Sequence, residues 1–410
     1  MYESVRQELF EKSDLATLSD DELRRTIDKI FVHQHEGQHL TIEERIRAVD
    51  HIFSQLRGLG ILDTLLRDES VSEIMINRFD TIFVERNGAV QRGALRFDTE
   101  KELEDIIRRI VSNSGKEINQ ANPIVDTRLP GGERVNIVLP PIAIGSPVVT
   151  IRRFPKDRIT MRKLIELGSI SEEAAGFLRQ LVRARYNIFI SGGTSSGKTT
   201  FLNALSDFIP RSERIITIED SAELQITGLS NLIRMETRNS NTTGAGEITI
   251  QNLIRTSLRM RPDRIIVGEV RGAEALDMLN AMNTGHDGSL STGHANSSFD
   301  MLRRLETMVM QGSSGLPLPA VRRNVASSID ILVHLGKIGN HSRAVLEISE
   351  IDGLKDEEIV LNELYRREHG RLQKTRSGLH HREKLEMYGE RHENRTMEED
   401  RHPTGFRHSV

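Results

Sequence analysis

The sequence has 410 residues, a formal net charge of −4 and no cysteine. That length is sufficient for two or three domains with cores of their own, and the charge balance gives no support for bulk nucleic-acid binding. The lack of cysteine excludes disulfides, thiolate zinc sites and cysteine nucleophiles. The charged N-terminal stretch has no apolar core of the signal-peptide kind, and no run approaches the ~18 apolar residues of a membrane span. We therefore expect an intracellular protein of mixed α/β class.

Residues 1–58 are predicted to form a helical N-terminal segment. In SDDELRRTIDKIF, Ser19 stands three residues before Glu22, which is the spacing of a capping box, and apolar residues follow at helical intervals. Thr41 and Glu44 repeat this spacing before a second apolar pattern. We expect the segment to dock on a partner or on the domain that follows it.

Residues 59–153 are predicted to form a small α+β domain. Short β-type runs such as SEIMI and TIFVERNGAV precede an amphipathic helical pattern, TEKELEDIIRRIVSNSG, and the strands RVNIVLPP and SPVVTIRRF follow it. The pair Asn87-Gly88 is a hairpin signal. Residues 154–173 are predicted to be a linker that contains a short helix.

Residues 174–365 alternate short apolar runs with helical segments. This pattern predicts a mostly parallel sheet flanked by helices. Residues 366–410 are charged and poor in apolar side chains, so we expect a solvated and partly disordered tail. A metal site built from the histidines of this tail is the alternative, although they show no fixed ligand spacing.

A glycine-rich run stands at the centre of the chain. Residues 192–199 spell G-x-x-x-x-G-K-T between an apolar run, YNIFI, and a helical one, KTTFLNAL. Glycines let successive backbone N–H groups turn toward phosphate oxygens, and the next helix presents its N-terminus to the same anion. Lys198 is expected to reach the β- and γ-phosphates, and the Thr199 hydroxyl to serve Mg²⁺. The predicted nucleotide-binding residues are Gly192, Gly193, Thr194, Ser195, Ser196, Gly197, Lys198, Thr199 and Thr200.

Acidic residues follow two of the later predicted strands. Glu269 comes directly after the run IIVG, and Glu219 with Asp220 ends ERIITIED. Because the carboxyl ends of parallel strands meet at the edge where ligands bind, these acids suit metal binding and the activation of water. Gly268 stands where many P-loop enzymes have a metal-holding aspartate. We therefore expect Mg²⁺ to rely on Thr199, water and the other acids.

Two histidines lie in short runs of small residues. His294, in STGHANS, follows a predicted strand, and its imidazole could sense the γ-phosphate through a hydrogen bond. A single histidine is also common as a structural residue, and His286 is the weaker candidate. Asp220 and Glu223 have a comparable alternative role, because acids after a strand often cap the next helix.

The chain contains five motif segments in the order RVNIVLPP, TIRRF, GGTSSGKTT, TIEDSAELQI and RMRPDRIIVGEVRGAEALDMLNAMNTGHDGSLSTGHANSS. In this combination they resemble the secretion ATPase superfamily. This superfamily serves type II and type IV secretion and type IV pili, and the resemblance is greatest to its Flp/Tad pilus-assembly branch. It covers about residues 60–350. It implies a RecA-like P-loop ATPase domain after a small α+β domain, with ATP and Mg²⁺ as ligands.

The resemblance also implies roles for individual residues. Glu219, Asp220 and Glu223 match the Asp box, Glu269 matches the Walker B glutamate, and His294 lies in the His box. The superfamily forms hexameric rings in which arginines of the N-terminal domain complete the nucleotide site. The matching positions are Arg134 and Arg152, with Arg153 adjacent and with Arg234 and Arg271 further along; surface arginines beside a strand are the alternative.

The implied protein is a cytoplasmic homohexameric ATPase. It would associate peripherally with the inner face of the cell membrane through an inner-membrane platform protein. It would drive pilus assembly or protein secretion without direct contact with nucleic acid. An ATP-gated scaffold with little turnover is the alternative from another class. A GTPase switch is not supported, since the sequence has no N-K-x-D motif.

Overall fold

The computed structural model describes residues 4–5, 8–9, 18–35, 41–86, 89–114, 116–153, 158–238, 246–313, 315–339 and 342–388. The chain divides into two compact units, Met1–Lys156 and Asp157–Val410. The predicted hairpin turn at Asn87-Gly88 lies outside the described residues, as do residues 389–410.

The N-terminal unit begins with the two helices that the capping-box spacing predicted. They are α1, Asp20–Gln34, and α2, Ile42–Leu56, and both capping boxes are formed. Each N-cap hydroxyl accepts the N3 backbone N–H, while the N3 glutamate accepts the N-cap N–H, so two otherwise unpaired backbone donors are satisfied. The apolar faces of the two helices share a core of their own. A short helix, α3, Ile61–Arg67, follows.

The rest of this unit is a six-stranded antiparallel sheet with one long helix. The strands are β1 Val71–Arg78, β2 Thr81–Arg86, β3 Ala89–Arg92, β4 Ile124–Arg128, β5 Arg134–Val138 and β6 Val148–Arg152, in the order β3-β2-β1-β6-β5-β4. The helix is α4, Glu100–Asn113, whose apolar side contributes Ile106, Ile107 and Ile110 to the core of the sheet. Buried and less buried residues alternate along β5 and β6, as expected for strands with one covered face.

The C-terminal unit is a nine-stranded sheet with helices on both faces. Its strands are β7 Ile188–Gly192, β8 Ile215–Glu219, β9 Leu232–Glu236, β10 Arg264–Val267, β11 Leu290–Gly293, β12 Ile331–Ile338, β13 Ser342–Lys355, β14 Glu358–Glu368 and β15 Arg371–Lys374. Its helices are α5 Met161–Glu166, α6 Glu172–Arg183, α7 Lys198–Ser206, α8 Ile250–Ser257, α9 Glu274–Asn283, α10 Ser298–Gly312 and α11 Leu318–Ser328.

The strand order explains how the phosphate loop is held. The order is β15-β14-β13-β12-β7-β11-β10-β8-β9; the strands from β12 to β9 pair in parallel, and β13 to β15 are antiparallel. On β7, Ile188 and Ile190 join the core with α6 and α7, whereas Phe189 joins the core with α9 and α10. The central strand is therefore buried on both faces, which agrees with the predicted RecA-like α/β class.

Two segments differ from the sequence-based boundaries. The predicted linker, 154–173, contains α5 and the start of α6, and Met161 and Leu164 belong to the core of the C-terminal unit. The tail predicted to be disordered from residue 366 is ordered as far as residue 388, since β14 runs to Glu368, β15 follows, and residues 383–388 are helical.

The ordered part of the tail is held by specific contacts. Leu379, Leu385 and Tyr388 pack on the core, and the Tyr186 hydroxyl donates to the carbonyl oxygen of His381 at 2.7 Å. The Lys384 ammonium lies 2.7 Å from carboxylates of both Asp287 and Asp330. A charged composition alone suggested disorder, but these few well-placed side chains fix the segment.

Candidate nucleotide site

The turn after β7 has the backbone that a phosphate loop needs. Gly197 has φ 93°, a left-handed conformation that favours glycine, and it is the N-cap of α7. A Cβ on Gly192 would lie 2.6 Å from the carbonyl oxygen of Leu335, so only glycine fits there. A Cβ on Gly193 would meet nothing within 4 Å, because this glycine faces open space beside a cavity. Gly192 is thus packed against the neighbouring strand, whereas Gly193 leaves the other side of the loop open to a ligand.

Lys198 lies within its own loop. Its side chain is buried, and its ammonium donates to the carbonyl oxygens of Gly192 and Gly193, both at 3.2 Å. Burial lowers the pKa of Lys198, while the nearby carboxylate of Glu269 opposes that shift. Thr199 and Thr200 follow in the first turn of α7 and are half-buried. The cation of the loop is therefore held at the place where phosphate oxygens are expected.

His294 lies between Lys198 and Glu269, the acid that follows β10. Its Nδ1 is 3.1 Å from the Lys198 ammonium, and its Nε2 is 2.7 Å from Oε1 of Glu269. Since an ammonium can only donate, Nδ1 accepts and the ring proton lies on Nε2; although Nε2 is close to Oε1 of Glu269, that oxygen has no hydrogen-bond partner among the described residues. Burial is the main cause that lowers the pKa of His294, which agrees with a neutral ring.

Glu269 has a second partner. The guanidinium of Arg271 donates to its Oε2 at 2.9 Å, and another nitrogen of the same group lies 3.7 Å from Asp220. Arg271 thus bridges acids that follow β10 and β8, which are neighbours in the sheet. The sequence grouped Glu269, His294 and Lys198 as site residues, and the structure brings these three side chains into direct contact.

Glu219 lies at the end of β8 and is buried, with its side chain only 3 % exposed. Its Oε1 accepts the backbone N–H groups of Glu223 and Leu224, each at 2.8 Å, whereas its Oε2 has no hydrogen-bond partner among the described residues. Burial raises the pKa of Glu219 to about 7. A Cβ on Gly268 would lie 2.9 Å from Cγ of Glu219, so this glutamate fills the space that a side chain at 268 would need.

The predicted arginines of the N-terminal unit are neighbours on its sheet. Arg134 on β5 is the direct cross-strand partner of Arg152 on β6, so both side chains lie on one face. Arg152 is exposed and Arg134 half-buried. Arg153 differs, because its guanidinium donates to the backbone carbonyl oxygens of Asp68 and Val71 in its own unit. It is therefore a structural residue here.

Two other candidates have local roles. The Arg234 guanidinium donates to the carbonyl oxygen of Leu224 at 2.9 Å and thereby holds the loop that follows Glu219. His286 Nδ1 lies 3.2 Å from the carbonyl oxygen of Ala281, at the end of α9. Neither side chain lines the cavity beside the phosphate loop.

The sequence analysis missed two arginines. A cavity of ≈690 Å³ opens beside Gly193 and Thr194, and Arg303 and Arg304 of α10 line it together with Arg271 and His294. Their position near the site could have been predicted, because α10 starts directly after the His294 loop at the carboxyl edge of the sheet. Residues in its first two turns could have been expected to border the site.

The family of the chain follows from comparison with known proteins. Residues 55–391 match the family model described as "Type II/IV secretion system protein". The conjugal transfer protein TrbB of Rhizobium radiobacter is 35 % identical over 297 residues, which are 71 % of this chain and 87 % of that protein. The type IV secretion system protein PtlH of Bordetella pertussis is 35 % identical over 325 residues, 72 % of this chain and 95 % of that protein.

A solved structure supports the fold. The pilus retraction motor PilT, solved with bound ADP, aligns with a TM-score of 0.52 at 20 % identity and covers 83 % of this chain and 89 % of that one. Among the described residues, every helix is too short or too polar to cross a membrane. With a glycine-rich loop, acids at the edge of a parallel sheet and a family match over most of its length, the chain belongs to the type II/IV secretion system protein family.

Proposed function

We propose that the chain is an ATP hydrolase with ATP and Mg²⁺ as its ligands. The observation that carries the proposal is the series of contacts from Lys198 through His294 to Glu269. A loop of this kind stabilises phosphate charge, and a carboxylate beside it can accept a proton from water. The water oxygen bonds to the γ-phosphorus, the bond from that phosphorus to the β–γ bridging oxygen breaks, and the proton passes to Glu269.

The acids and hydroxyls at this edge of the sheet fit a magnesium ion. Thr199 offers a hydroxyl in the first turn of α7, and Glu219 has one buried oxygen without a partner among the described residues. Because Glu219 fills the space beside Gly268, it can take the part of the aspartate that other P-loop enzymes have there. Asp220 is a third candidate ligand. The ion would neutralise charge on the β- and γ-phosphates when bound.

The contacts of Glu269 also bear on the alternative of a nucleotide-gated scaffold. Its Oε2 accepts a hydrogen bond from Arg271, whereas its Oε1 lies 2.7 Å from His294 Nε2 without a hydrogen-bond partner among the described residues, so Oε1 is the oxygen placed to take a proton from water. A carboxylate oxygen that accepts no hydrogen bond from the described residues and lies beside the phosphate loop favours hydrolysis over binding alone. A phosphate-release assay distinguishes the two functions, because a scaffold binds ATP and forms no ADP at a useful rate.

We further propose a homohexamer in which Arg134 and Arg152 act on the nucleotide of a neighbouring subunit. Their direct cross-strand pairing supports a joint role, since two guanidinium groups on one face can grip one phosphate. Mixing Lys198→Ala subunits with Arg152→Ala subunits tests this idea. Activity recovered in the mixture supports sharing between subunits; two inactive pools that stay inactive when mixed, although they co-assemble, contradict it.

The machine served by the ATPase is proposed from relatives. The family, together with relatives named for conjugal transfer, type IV secretion and pilus retraction, supports a motor that works with a membrane-embedded machine. We propose assembly of a Flp/Tad-type pilus or protein secretion, from the cytoplasmic face of the inner membrane and through a platform protein. The preference for the Flp/Tad branch rests on sequence resemblance.

The function is tested with Lys198→Ala and Glu269→Gln. Lys198→Ala should lose nucleotide binding, whereas Glu269→Gln should keep ATP binding and slow hydrolysis about 100-fold or more, since general-base assistance contributes roughly 10²–10⁴. Glu172→Gln, which removes an exposed carboxylate of α6, is the matched control and should hydrolyse ATP like the wild type. Unchanged turnover in Glu269→Gln would show that another group activates the water.

A further inference from the structure

The cavity beside the phosphate loop is strongly basic. Its charged lining consists of three arginines and one aspartate, Arg271, Arg303, Arg304 and Asp300, and the neutral imidazole of His294 lies beside them. The volume, ≈690 Å³, lies within the range of small-molecule sites. Because the three arginines outnumber the single aspartate, the cavity has a net positive charge that concentrates anions, so the ligand that fits it is a small anion.

The position of the cavity identifies the anion. Gly193 and Thr194 belong both to the phosphate loop and to the cavity wall, so the two spaces are continuous at the loop. Guanidinium groups recognise phosphate through paired hydrogen bonds. The start of α10, a helix of 15 residues, also faces this side and adds the positive end of its dipole. An anion released at the loop would therefore enter a basic space directly.

The three arginines and His294 line the same cavity. Burial is the largest cause of the lowered pKa of His294, and the positive charges of Arg271 and Arg304 lower it further. Arg303 lies over the ring of Phe299, with 4.7 Å from its guanidinium carbon to the ring centroid. That contact limits where its exposed side chain can go. Arg271 is held by Glu269, as described above, which leaves Arg303 and Arg304 as the cations available to a ligand.

We propose that this cavity binds inorganic phosphate after cleavage, with Arg303 and Arg304 as its main ligands. The inference rests on the proposed ATPase function, because hydrolysis at the loop supplies the phosphate. It gives α10 a part in product release, since the phosphate must leave this basic space before the phosphate loop can bind another ATP. The ligand is the free phosphate ion rather than the γ-phosphate of intact ATP, and the test separates the two.

The test measures phosphate binding directly, without turnover. The full chain is loaded with Mg²⁺ and ADP and dialysed to equilibrium against radiolabelled inorganic phosphate at constant ionic strength. The double variant Arg303→Gln/Arg304→Gln should bind phosphate more than tenfold more weakly than the wild type, since a tenfold change in Kd is about 1.4 kcal/mol and the loss of one hydrogen bond to a charged group already exceeds that. Its affinity for a fluorescent ATP analogue should be unchanged.

The matched control removes the same charge elsewhere. Arg179 and Arg323 are exposed arginines on α6 and α11 that do not line the cavity, so Arg179→Gln/Arg323→Gln should bind phosphate like the wild type. Arg303→Lys/Arg304→Lys keeps the charge and should recover part of the affinity, which excludes misfolding as the cause. Equal phosphate affinity in the two glutamine variants would overturn the proposal.

Three further outcomes are decisive. If ATP and phosphate affinity fall by the same factor in Arg303→Gln/Arg304→Gln, the arginines hold the γ-phosphate before cleavage and the proposal is wrong. If the wild type binds the ATP analogue but no phosphate in the presence of Mg²⁺ and ADP, the phosphate site fails while the proposed ATPase function stands. If the wild type binds neither, the proposed function fails with it.

Discussion

Replacing Glu219 by glutamine should stabilise the nucleotide-free protein at alkaline pH. Burial raises the pKa of this carboxyl from an ordinary value of 4.5 to about 7. The difference is about 2.5 pH units, and at about 1.36 kcal/mol per unit it corresponds to roughly 3 kcal/mol of destabilisation once the group is ionised in both states. Because the pKa is higher in the folded state, the contribution is favourable below pH 4.5 and is lost as the pH rises through about 7.

The assay is calorimetry of wild type and Glu219→Gln in EDTA at pH 5 and at pH 8. For a unit of this size 1 kcal/mol shifts Tm by about 2–4 °C, so the variant should melt roughly 6–12 °C higher at pH 8 and much closer to wild type at pH 5. The other titrating groups are the same in both proteins, so their contributions to Tm cancel when the two proteins are compared at each pH. Mg²⁺ with ADP should narrow the gap at pH 8, because a cation compensates the ionised wild-type carboxylate. An equal gap at both pH values would refute the reasoning.

Three more changes have defined outcomes. Gly268→Ala should displace Glu219 and weaken Mg²⁺-dependent nucleotide binding, measured by titration with a fluorescent ADP analogue; unchanged affinity would contradict the close packing at this point. His334→Phe should lower the free energy of unfolding by about 1–3 kcal/mol in urea, because the buried Ser191 hydroxyl loses its partner at 2.8 Å. Since burial lowers the pKa of His334, wild-type stability from this residue is full above pH 6.5 and declines below it, and the variant should lack that decline. Lys384→Ala should lower the free energy of unfolding by about 1–3 kcal/mol in urea, since it leaves the carboxylates it contacts without their cation, and an unchanged midpoint would show that these ion pairs contribute nothing.

Local sequence patterns predicted the features that local interactions create. The capping boxes at Ser19 and Thr41 depend on residues three apart, and both are formed. The phosphate loop follows the same logic, because its backbone is set by Gly192, Gly197 and the start of α7. Alternating apolar runs predicted the parallel sheet, since strands buried on both faces need continuous apolar sequence.

The features that the sequence did not reveal depend on distant partners. Composition predicted disorder after residue 366, whereas three apolar side chains and Lys384 dock residues 376–388 on surfaces far away in the chain. Gly268 was read as a missing acid, and only the packing of Glu219 explains why a larger residue cannot stand there. Arg303 and Arg304 are ordinary exposed residues of an amphipathic helix until the cavity beside them is known.

The three protein acceptors of the Lys198 ammonium set a threshold for anion binding. They are two backbone carbonyl oxygens and one imidazole nitrogen, so an incoming anion must offer more than it replaces. A nucleotide that carries a single phosphate lacks the β- and γ-phosphates that the lysine of such a loop binds, so it cannot compensate for those losses. Discrimination by phosphate-chain length therefore follows from the contacts of Lys198, and AMP should fail to displace labelled ADP at concentrations where ATP succeeds.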